Sequence, residues 1–318
     1  MKMYHFFIMF CLIMASNCFA SEKTTLRIGV QAGGTVEWEL SALAVDPTAD
    51  FQVELHPVAT AEAGKIALQS NAVDMIVSDW IWVSNLRTQG EDFTFYPYSS
   101  TAGALVVPEN SPIHSVKDLN GKHLGIAGGE LDKNWLLLQA LAQKESVDLN
   151  KTVEKTFGAP PLISEQLKQN RVDAALTYWN FAAKLEATGY RQIIDGKGIL
   201  KGLEIAENVP SLGYVFKQSW ASSHLSAVNN FFKASADAKK LLCTDDAAWQ
   251  KVIPLTKVDD AATQKLLRQR YCEGSIEQWG EKEQQAAAHI YTLLRTLSND
   301  HAQSKSETLQ AGTFWSGK

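Results

Sequence analysis

Alternating strand and helix patterns predict an α/β fold built as two similar lobes with mostly parallel sheets, followed by a helical C-terminal segment. Three observations carry this prediction. Short apolar runs of strand length stand at residues 26–30, 51–55, 75–77, 93–96, 104–107, 124–127, 174–177 and 214–216. Helical spacing fills intervals at 61–69, 133–143, 163–169 and 181–187, and strands that alternate with helices favour parallel pairing. The third observation is an internal echo. Leu68, Asn71, Val73, Asp74 and Trp80 recur 99 residues later as Leu167, Asn170, Val172, Asp173 and Trp179, with Ser78 matched by Thr177.

The first element is not part of the fold. Lys2 precedes an apolar block at 6–14 that is too short to span a bilayer, and Cys18 and Ala20 are small enough for signal peptidase to cut after Ala20. Residues 1–20 therefore read as a secretory signal peptide. The chain that remains holds 29 Lys and Arg against 35 Asp and Glu, a net charge of −6, with no electrostatic case for binding nucleic acid or an anionic membrane. No later apolar run reaches membrane-spanning length. Hydrophobic residues make up 45% of the chain, enough for a full core, which rules out disordered and low-complexity classes.

Processing also removes Cys11 and Cys18. Cys243 and Cys272 stay behind in an oxidising compartment, where they read either as a disulfide, worth roughly 3–4 kcal/mol on the chain-entropy model, or as two buried free thiols. There is no CxxC motif.

In the middle of the chain, Ser115 three residues before Asp118 forms a capping-box-like start to one helical turn, and Asn120-Gly121 supplies the turn that returns the chain into the strand at 123–127. Asp74 and Asp173 precede their strands and read as turn residues. After Ser219 only helical patterns occur, at 227–242, 247–252, 261–271 and 276–297. Trp135, Trp220, Trp249 and Trp279 have helical settings and read as structural. The last twenty residues, rich in Ser, Gln and Gly, read as a loosely held tail.

Five segments in this order resemble one family. They are Thr25-Leu26-Arg27-Ile28-Gly29-Val30; Val73-Asp74-Met75-Ile76-Val77; Ala104-Leu105-Val106-Val107-Pro108; Ser115-Val116-Lys117-Asp118-Leu119-Asn120-Gly121-Lys122 with Gly128-Gly129 after it; and residues 170–183, from Asn170 through Trp179 to Ala183. Together they resemble the periplasmic substrate-binding proteins of ABC importers, in the nitrate/sulfonate/taurine and thiamine-precursor group. The resemblance runs over nearly the whole chain after residue 20. It implies a type II periplasmic-binding-protein fold, with lobe one at 24–101 and 211–318, lobe two at 102–210, and crossings near 101–106 and 210–216. The helices after Ser219 are expected on lobe one, which brings Cys243 and Cys272 together. It further implies a periplasmic monomer that captures a small-molecule ligand by hinge closure and hands it to an ABC transporter permease, without cofactor or metal. One departure stands out. Where the family has a longer first loop, this chain runs Gln31-Ala32-Gly33-Gly34-Thr35-Val36-Glu37-Trp38 into a short helix, so family ligand residues from that loop do not transfer.

Ligands of open α/β sheets sit beyond the carboxyl ends of the strands. The candidate ligand-binding set is accordingly Glu37 and Trp38; Ser78, Asp79 and Trp80; Ser99, Ser100 and Thr101; Gly128 and Gly129; and Thr177, Tyr178, Trp179 and Asn180. Aromatics and acids dominate, which suits a flat heteroaromatic or an amine-bearing molecule. A sulfonate-like anion would use the backbone N–H groups of Gly128 and Gly129 at a helix start, where Glu130 and Asp132 compete with it. The sharpest expectation is that Trp80 and Trp179 sandwich an organic ligand, Asp79 or Glu37 pairs with its amine, and Ser78 and Thr177 orient it.

Enzymatic templates are missing. There is no HExxH, GxSxG, Walker loop or GxGxxG, the histidines are scattered without metal-ligand spacing, and the cysteine-rich motif of the pyrimidine-synthesising enzymes of this fold is absent. A second reading keeps the fold but changes the role, to an exported accessory protein that docks on a partner such as a quinoprotein dehydrogenase. The hydroxyls, acids and aromatics kept at the loop ends of both lobes favour the importer.

Overall fold

The computed structural model describes residues 23–31, 34–43, 49–297 and 306–317. The signal peptide expected at 1–20, with Cys11, Cys18 and the cleavage point after Ala20, lies outside the described residues, as do Ala32 and Gly33 of the first loop.

Among the described residues, ten strands build two five-stranded sheets. The first sheet takes β1 (Thr24–Gln31), β2 (Phe51–Val58), β3 (Met75–Ser78), β4 (Phe93–Ser99) and β10 (Leu212–Lys217) in the order β2-β1-β3-β10-β4. The second takes β5 (Gly103–Pro108), β6 (His123–Ala127), β7 (Glu154–Gly158), β8 (Ala174–Tyr178) and β9 (Tyr190–Asp195) in the order β7-β6-β8-β5-β9. The helices are α1 (Thr35–Ala42), α2 (Ala61–Gln69), α3 (Trp80–Thr88), α4 (Lys133–Lys144), α5 (Leu149–Thr152), α6 (Pro160–Lys168), α7 (Trp179–Glu186) and α8 (Gly196–Gly202), then α9 (Gln218–Ser223), α10 (Leu225–Thr244), α11 (Asp246–Thr256), α12 (Ala261–Glu273) and α13 (Glu281–Leu297).

Both sheets are α/β, but neither is mostly parallel. β1 pairs parallel with β2 and β3, and β6 with β7 and β8, through helical crossovers. β10 lies antiparallel to β3 and β4, and β5 antiparallel to β8 and β9. The reason is connectivity. β5 and β10 are the strands by which the chain enters one sheet on leaving the other, so no local strand–helix–strand crossover dictates their direction. The chain passes between the sheets at 100–102 and again at 203–211.

The internal echo is structural. Asn71 and Asn170 both adopt the left-handed conformation, with φ of 59° and 54°, as each helix ends. The carboxylate that follows closes the same loop in both sheets: Asp74 Oδ2 accepts from the Arg27 backbone N–H at 3.0 Å, and Asp173 Oδ2 from the His123 N–H at 2.8 Å. Each aspartate also donates its own N–H to that partner's carbonyl at 2.8 Å. These residues fasten the amino ends of β3 and β8 in equivalent places.

The C-terminal helices depart from the expectation that all of them keep to the first sheet. α10, α11 and α1 pack together, and the Cys243–Cys272 disulfide joins α10 to α12 with a Cα–Cα distance of 5.7 Å. α12, however, also lies on α7, where Arg270 pairs with Glu186 at 2.6 Å, and α13 packs on α4. The physical cause is that α13 buries Ala286, Ala287, Ile290, Tyr291 and Leu294 along one stripe, and the apolar face of α4, with Trp135 and Leu138, answers it.

The expected loose tail is also corrected. Phe95 N–H donates to the Thr313 carbonyl at 2.8 Å and Trp315 N–H to the Phe95 carbonyl at 2.9 Å, so the tail pairs alongside β4. Trp315 is buried against Phe216, and Phe314 packs on Trp80 and Trp279. Two bulky side chains, Phe314 and Trp315, suffice to seat a segment whose average composition is polar.

Candidate functional site

A cleft of about 1080 Å³ lies where the carboxyl ends of the two sheets meet. Ser78, Asp79 and Trp80 reach it from the end of β3, Ser100 and Thr101 from the first link, Gly103 from the start of β5, and Tyr178, Trp179 and Asn180 from the end of β8. Trp38 on α1 and Asn208 and Pro210 in the second link complete the wall.

Three buried polar atoms among these residues have no partner: Trp38 Nε1, Ser100 Oγ and Asn208 Oδ1. A buried donor or acceptor left unsatisfied costs about 1–3 kcal/mol, so orphans grouped at one cleft mark places for a molecule that pairs with them. Trp38 and Ser100 are only 3% and 5% exposed, which fixes where those partners must sit.

Charge bridges the cleft. Asp79 caps α3 by accepting from the Trp82 N–H at 3.0 Å, and its other oxygen faces Lys133 Nζ at 3.8 Å from the opposite sheet's α4. Asp132 caps α4 through the N–H groups of Asn134 and Trp135, while Asn134 Oδ1 accepts from the Gly103 N–H at 2.8 Å. Burial pushes the Asp132 carboxyl above its ordinary range. The Tyr178 hydroxyl, 3.4 Å from Asp132 Oδ2, is pushed up to about 12 by burial first and by that negative charge second.

Nine of the expected residues line the cleft: Trp38, Ser78, Asp79, Trp80, Ser100, Thr101, Tyr178, Trp179 and Asn180. Glu37, Ser99, Gly128, Gly129 and Thr177 do not line it. Glu37 is one helical step, about 100°, from Trp38 and lies off its face. Ser99 Oγ is engaged by Thr101 Oγ1 at 2.9 Å. Gly128 spends its N–H on the Gly158 carbonyl at 2.8 Å, and Asp132 already occupies the helix start that an anion would use. Thr177 is 1% exposed within β8.

The expected sandwich is rearranged. Trp80 is buried, its Nε1 donates to the Pro210 carbonyl at 2.9 Å, and its ring packs on Tyr291 and Phe314, so it forms wall rather than a free face. The indole that meets Trp179 is Trp38, edge-on at 6.3 Å.

Two contributions escape sequence reasoning. Lys65, Lys133, Lys197 and Lys201 line the cleft from helices rather than loops, and an apolar wall of Leu137, Leu200, Ile205, Val209, Ile290 and Leu294 comes from α4, α8, α13 and the second link. The amphipathic stripes of these helices were the available signal, but the pattern does not say which part of a stripe faces a cavity. Behind Trp38, the fully buried Glu39 accepts from Tyr271 Oη and, at 3.3 Å, from Ser235 Oγ, and faces Lys239 Nζ at 3.8 Å. Burial raises Glu39 to about 6 against the pull of Lys239, and burial lowers Lys239. Tyr98 Oη donates to Thr35 Oγ1 at 2.9 Å, and Thr35 lines the cleft, so the buried network reaches the cavity. Among the described residues no group of three or more His, Cys, Asp or Glu is placed to hold a metal, and no helix is long and apolar enough to cross a membrane.

The family model described as NMT1/THI5 like matches residues 49–246, more than half of the chain. No curated protein matches the sequence. Solved structures do. The alkanesulfonate-binding protein SsuA from Xanthomonas axonopodis pv. citri, bound to MOPS, is 18% identical with a TM-score of 0.67, covering 92% of this chain and 99% of that one. The periplasmic aliphatic sulphonate-binding protein SsuA from Escherichia coli is 16% identical with a TM-score of 0.71, covering 89% and 95%. A putative sulfonate ABC transporter binding protein from Methylobacillus flagellatus KT is 16% identical with a TM-score of 0.62, covering 91% and 90%. At these identities the likeness establishes the two-lobed α/β binding-protein fold.

Proposed function

The chain belongs to the NMT1/THI5-like family, and from that premise we propose that it is the extracytoplasmic solute-binding component of an ABC importer, a binding protein rather than an enzyme. Two lobes, 24–101 with 211–318 and 102–210, close on a small organic ligand and present it to the importer's permease. On this reading residues 1–20 are a signal peptide, and the chain acts as a monomer in the periplasm.

The carrying observation is the cleft between the sheets, whose orphaned polar atoms come from α1 and from both links. Trp38 Nε1 and Ser100 Oγ offer donors and Asn208 Oδ1 an acceptor, so the ligand has both kinds of group, while Trp179 and the wall of Leu137, Ile290 and Leu294 take its apolar or aromatic body. Heteroaromatic, amine-bearing and sulfonate-like molecules fit that description. Sulfonates fit through the lysines that line the cleft, Lys65, Lys133, Lys197 and Lys201, since the backbone of Gly128 and Gly129 is not at the cleft.

Titration of the purified chain with alkanesulfonates, aromatic amines and heteroaromatics, followed by tryptophan fluorescence and calorimetry, tests the reading. One-to-one binding that Asn208→Ala and Trp179→Ala both weaken supports it. Saturable binding unaffected by either substitution removes the cleft from the function.

A further inference from the structure

The turn after α12 touches both links between the lobes. In the first link, the Ser100 N–H donates to the Gly274 carbonyl at 3.0 Å and Ser99 Oγ donates to it at 3.4 Å. In the second link, Asn208 Nδ2 donates to the Ser275 carbonyl at 3.1 Å. Lys197, at the start of α8, donates to the Glu273 carbonyl. Three consecutive carbonyls of one turn thus receive hydrogen bonds from the two passages and from the helix beside them.

The approach is close. A Cβ on Gly274 would lie 2.3 Å from Thr101 Cγ2 and 3.0 Å from Ser99 Oγ. Its φ of −84° suits any residue, so space alone requires glycine there. The turn is also anchored from behind. Cys272 is bonded to Cys243 on α10, and Tyr271 donates to the buried Glu39 on α1. From the other side, Arg270 pairs with Glu186 on α7.

We propose that the turn at 273–275 is a hinge block, held against both links by the Cys243–Cys272 disulfide, which fixes the resting angle between the lobes. Hinge rotation is absorbed by a few residues of a linking segment. Rotation about 100–102 and 203–211 must either carry this turn along or break its hydrogen bonds. The inference rests on the two-lobe binding reading for its consequence, yet its test needs no ligand, so either can fail while the other stands.

Hydrogen exchange on the folded chain, oxidised and then reduced by a thiol reductant, reads the block directly. Reduction is expected to speed exchange in peptides spanning 99–102 and 205–211 by about fivefold to tenfold and to leave β7 unchanged. The ligand-free radius of gyration from small-angle scattering is expected to shift with it. Uniform acceleration along the chain, or unchanged links, overturns the proposal. Gly274→Ala is expected to give the same local signature without reduction, and Thr101→Ser in that background, which deletes the colliding methyl but leaves the 3.1 Å approach to the Thr101 backbone nitrogen, to bring exchange most of the way back. A Gly274→Ala chain that exchanges and scatters like the parent overturns the proposal as well. The reduction arm decides on its own if that variant does not fold.

Discussion

Trp38, on the first helix, and Trp179, at the start of the helix after β8, meet edge-on at 6.3 Å, so one aromatic contact joins elements that belong to different sheets. Trp38 is buried among Trp249 and Tyr271, whereas Trp179 is half-buried and free to exchange its neighbour for a ligand. Trp179→Ala is therefore expected to weaken binding of an aromatic ligand by about 2- to 10-fold while barely moving the melting temperature. Trp38→Phe removes the unpartnered N–H together with the five-membered half of the indole, so affinity falls by about tenfold, and the void left among Trp179, Trp249 and Tyr271 costs about 1–3 kcal/mol of stability. Calorimetric titration and thermal melts of the two variants check both halves.

Glu39 gives a pH signature with a definite sign. Its folded-state value of about 6 lies above the ordinary 4.5, so the native protein holds that proton more tightly than the unfolded chain does. Stability from this group is present below about pH 4.5 and is lost as pH rises through about 6. The difference in unfolding free energy between the parent and Glu39→Gln is expected to rise in the parent's favour by about 2 kcal/mol between pH 7 and pH 4. Guanidinium unfolding at a series of pH values measures it. A flat difference would show that the carboxyl titrates at the same pH in the folded and unfolded chains.

Lys239 tests the same network from the cationic side. Its ammonium donates to the Tyr98 carbonyl at 3.0 Å and lies over the rings of Tyr98 and Tyr271. Lys239→Met leaves Glu39 buried without a counter-charge and is expected to cost about 3–5 kcal/mol at pH 7. Adding Glu39→Gln should recover most of that loss, because neutralising both partners removes the stranded charge. Additive losses in denaturant unfolding would contradict the coupling.

What was legible in the sequence followed element by element from how much each one buries. β1, β3, β6 and β8 are nearly continuous apolar runs because helices or neighbouring strands cover both faces, and all four are evident. β7 and β9 carry no clear apolar run because they are edge strands whose residues are mostly half-exposed, and Lys155, Thr156, Arg191 and Gln192 break it. The strand-end residues Asp79 and Tyr178 reach the cleft as expected, since the carboxyl end of a strand fixes position whatever the sheet's neighbours. Helix phase was not legible. In the shortened first loop the sequence points to Glu37 beside Trp38, whereas α1 turns Glu39 inward and Glu37 aside. Nor does any local pattern show that the tail carrying Phe314 and Trp315 returns to β4 more than two hundred residues away.

Asp79 separates capping from charge. Its carboxylate caps α3 and also faces Lys133 across the cleft, with both side chains partly exposed. Asn caps as well as Asp, so Asp79→Asn is expected to change stability by only a few tenths of a kcal/mol, whereas Asp79→Ala costs about 1 kcal/mol. Both variants remove the bridge to Lys133, so their effects on ligand affinity should be alike and should shrink as salt is raised. Thermal melts and titrations at two ionic strengths distinguish the two roles.

The tail offers a stability test far from the cleft. Trp315 is 7% exposed, packs edge-on with Phe216, and follows the two backbone hydrogen bonds that tie 313–315 to Phe95. The same strip is fastened by Arg87 Nε, which donates to the Ala311 carbonyl at 2.6 Å, and by the Gln310 N–H, which donates to Ser84 Oγ at 3.0 Å. Trp315→Ala opens a void in a core that also contains Tyr98 and Tyr214, and truncations of buried tryptophan cost about 3–5 kcal/mol. Arg87→Met removes the bond to Ala311 and the one its Nη1 donates to the Phe93 carbonyl at 2.7 Å but opens no large void, and should cost less. Phe314 rests on Trp80, which forms cleft wall, so deleting 306–318 is expected to lower both the unfolding midpoint and ligand affinity, whereas Trp315→Ala lowers the midpoint first. Urea unfolding monitored by fluorescence and by circular dichroism checks the ranking. A Trp315→Ala chain as stable as the parent would mean that the tail is not held where its hydrogen bonds to Phe95 place it.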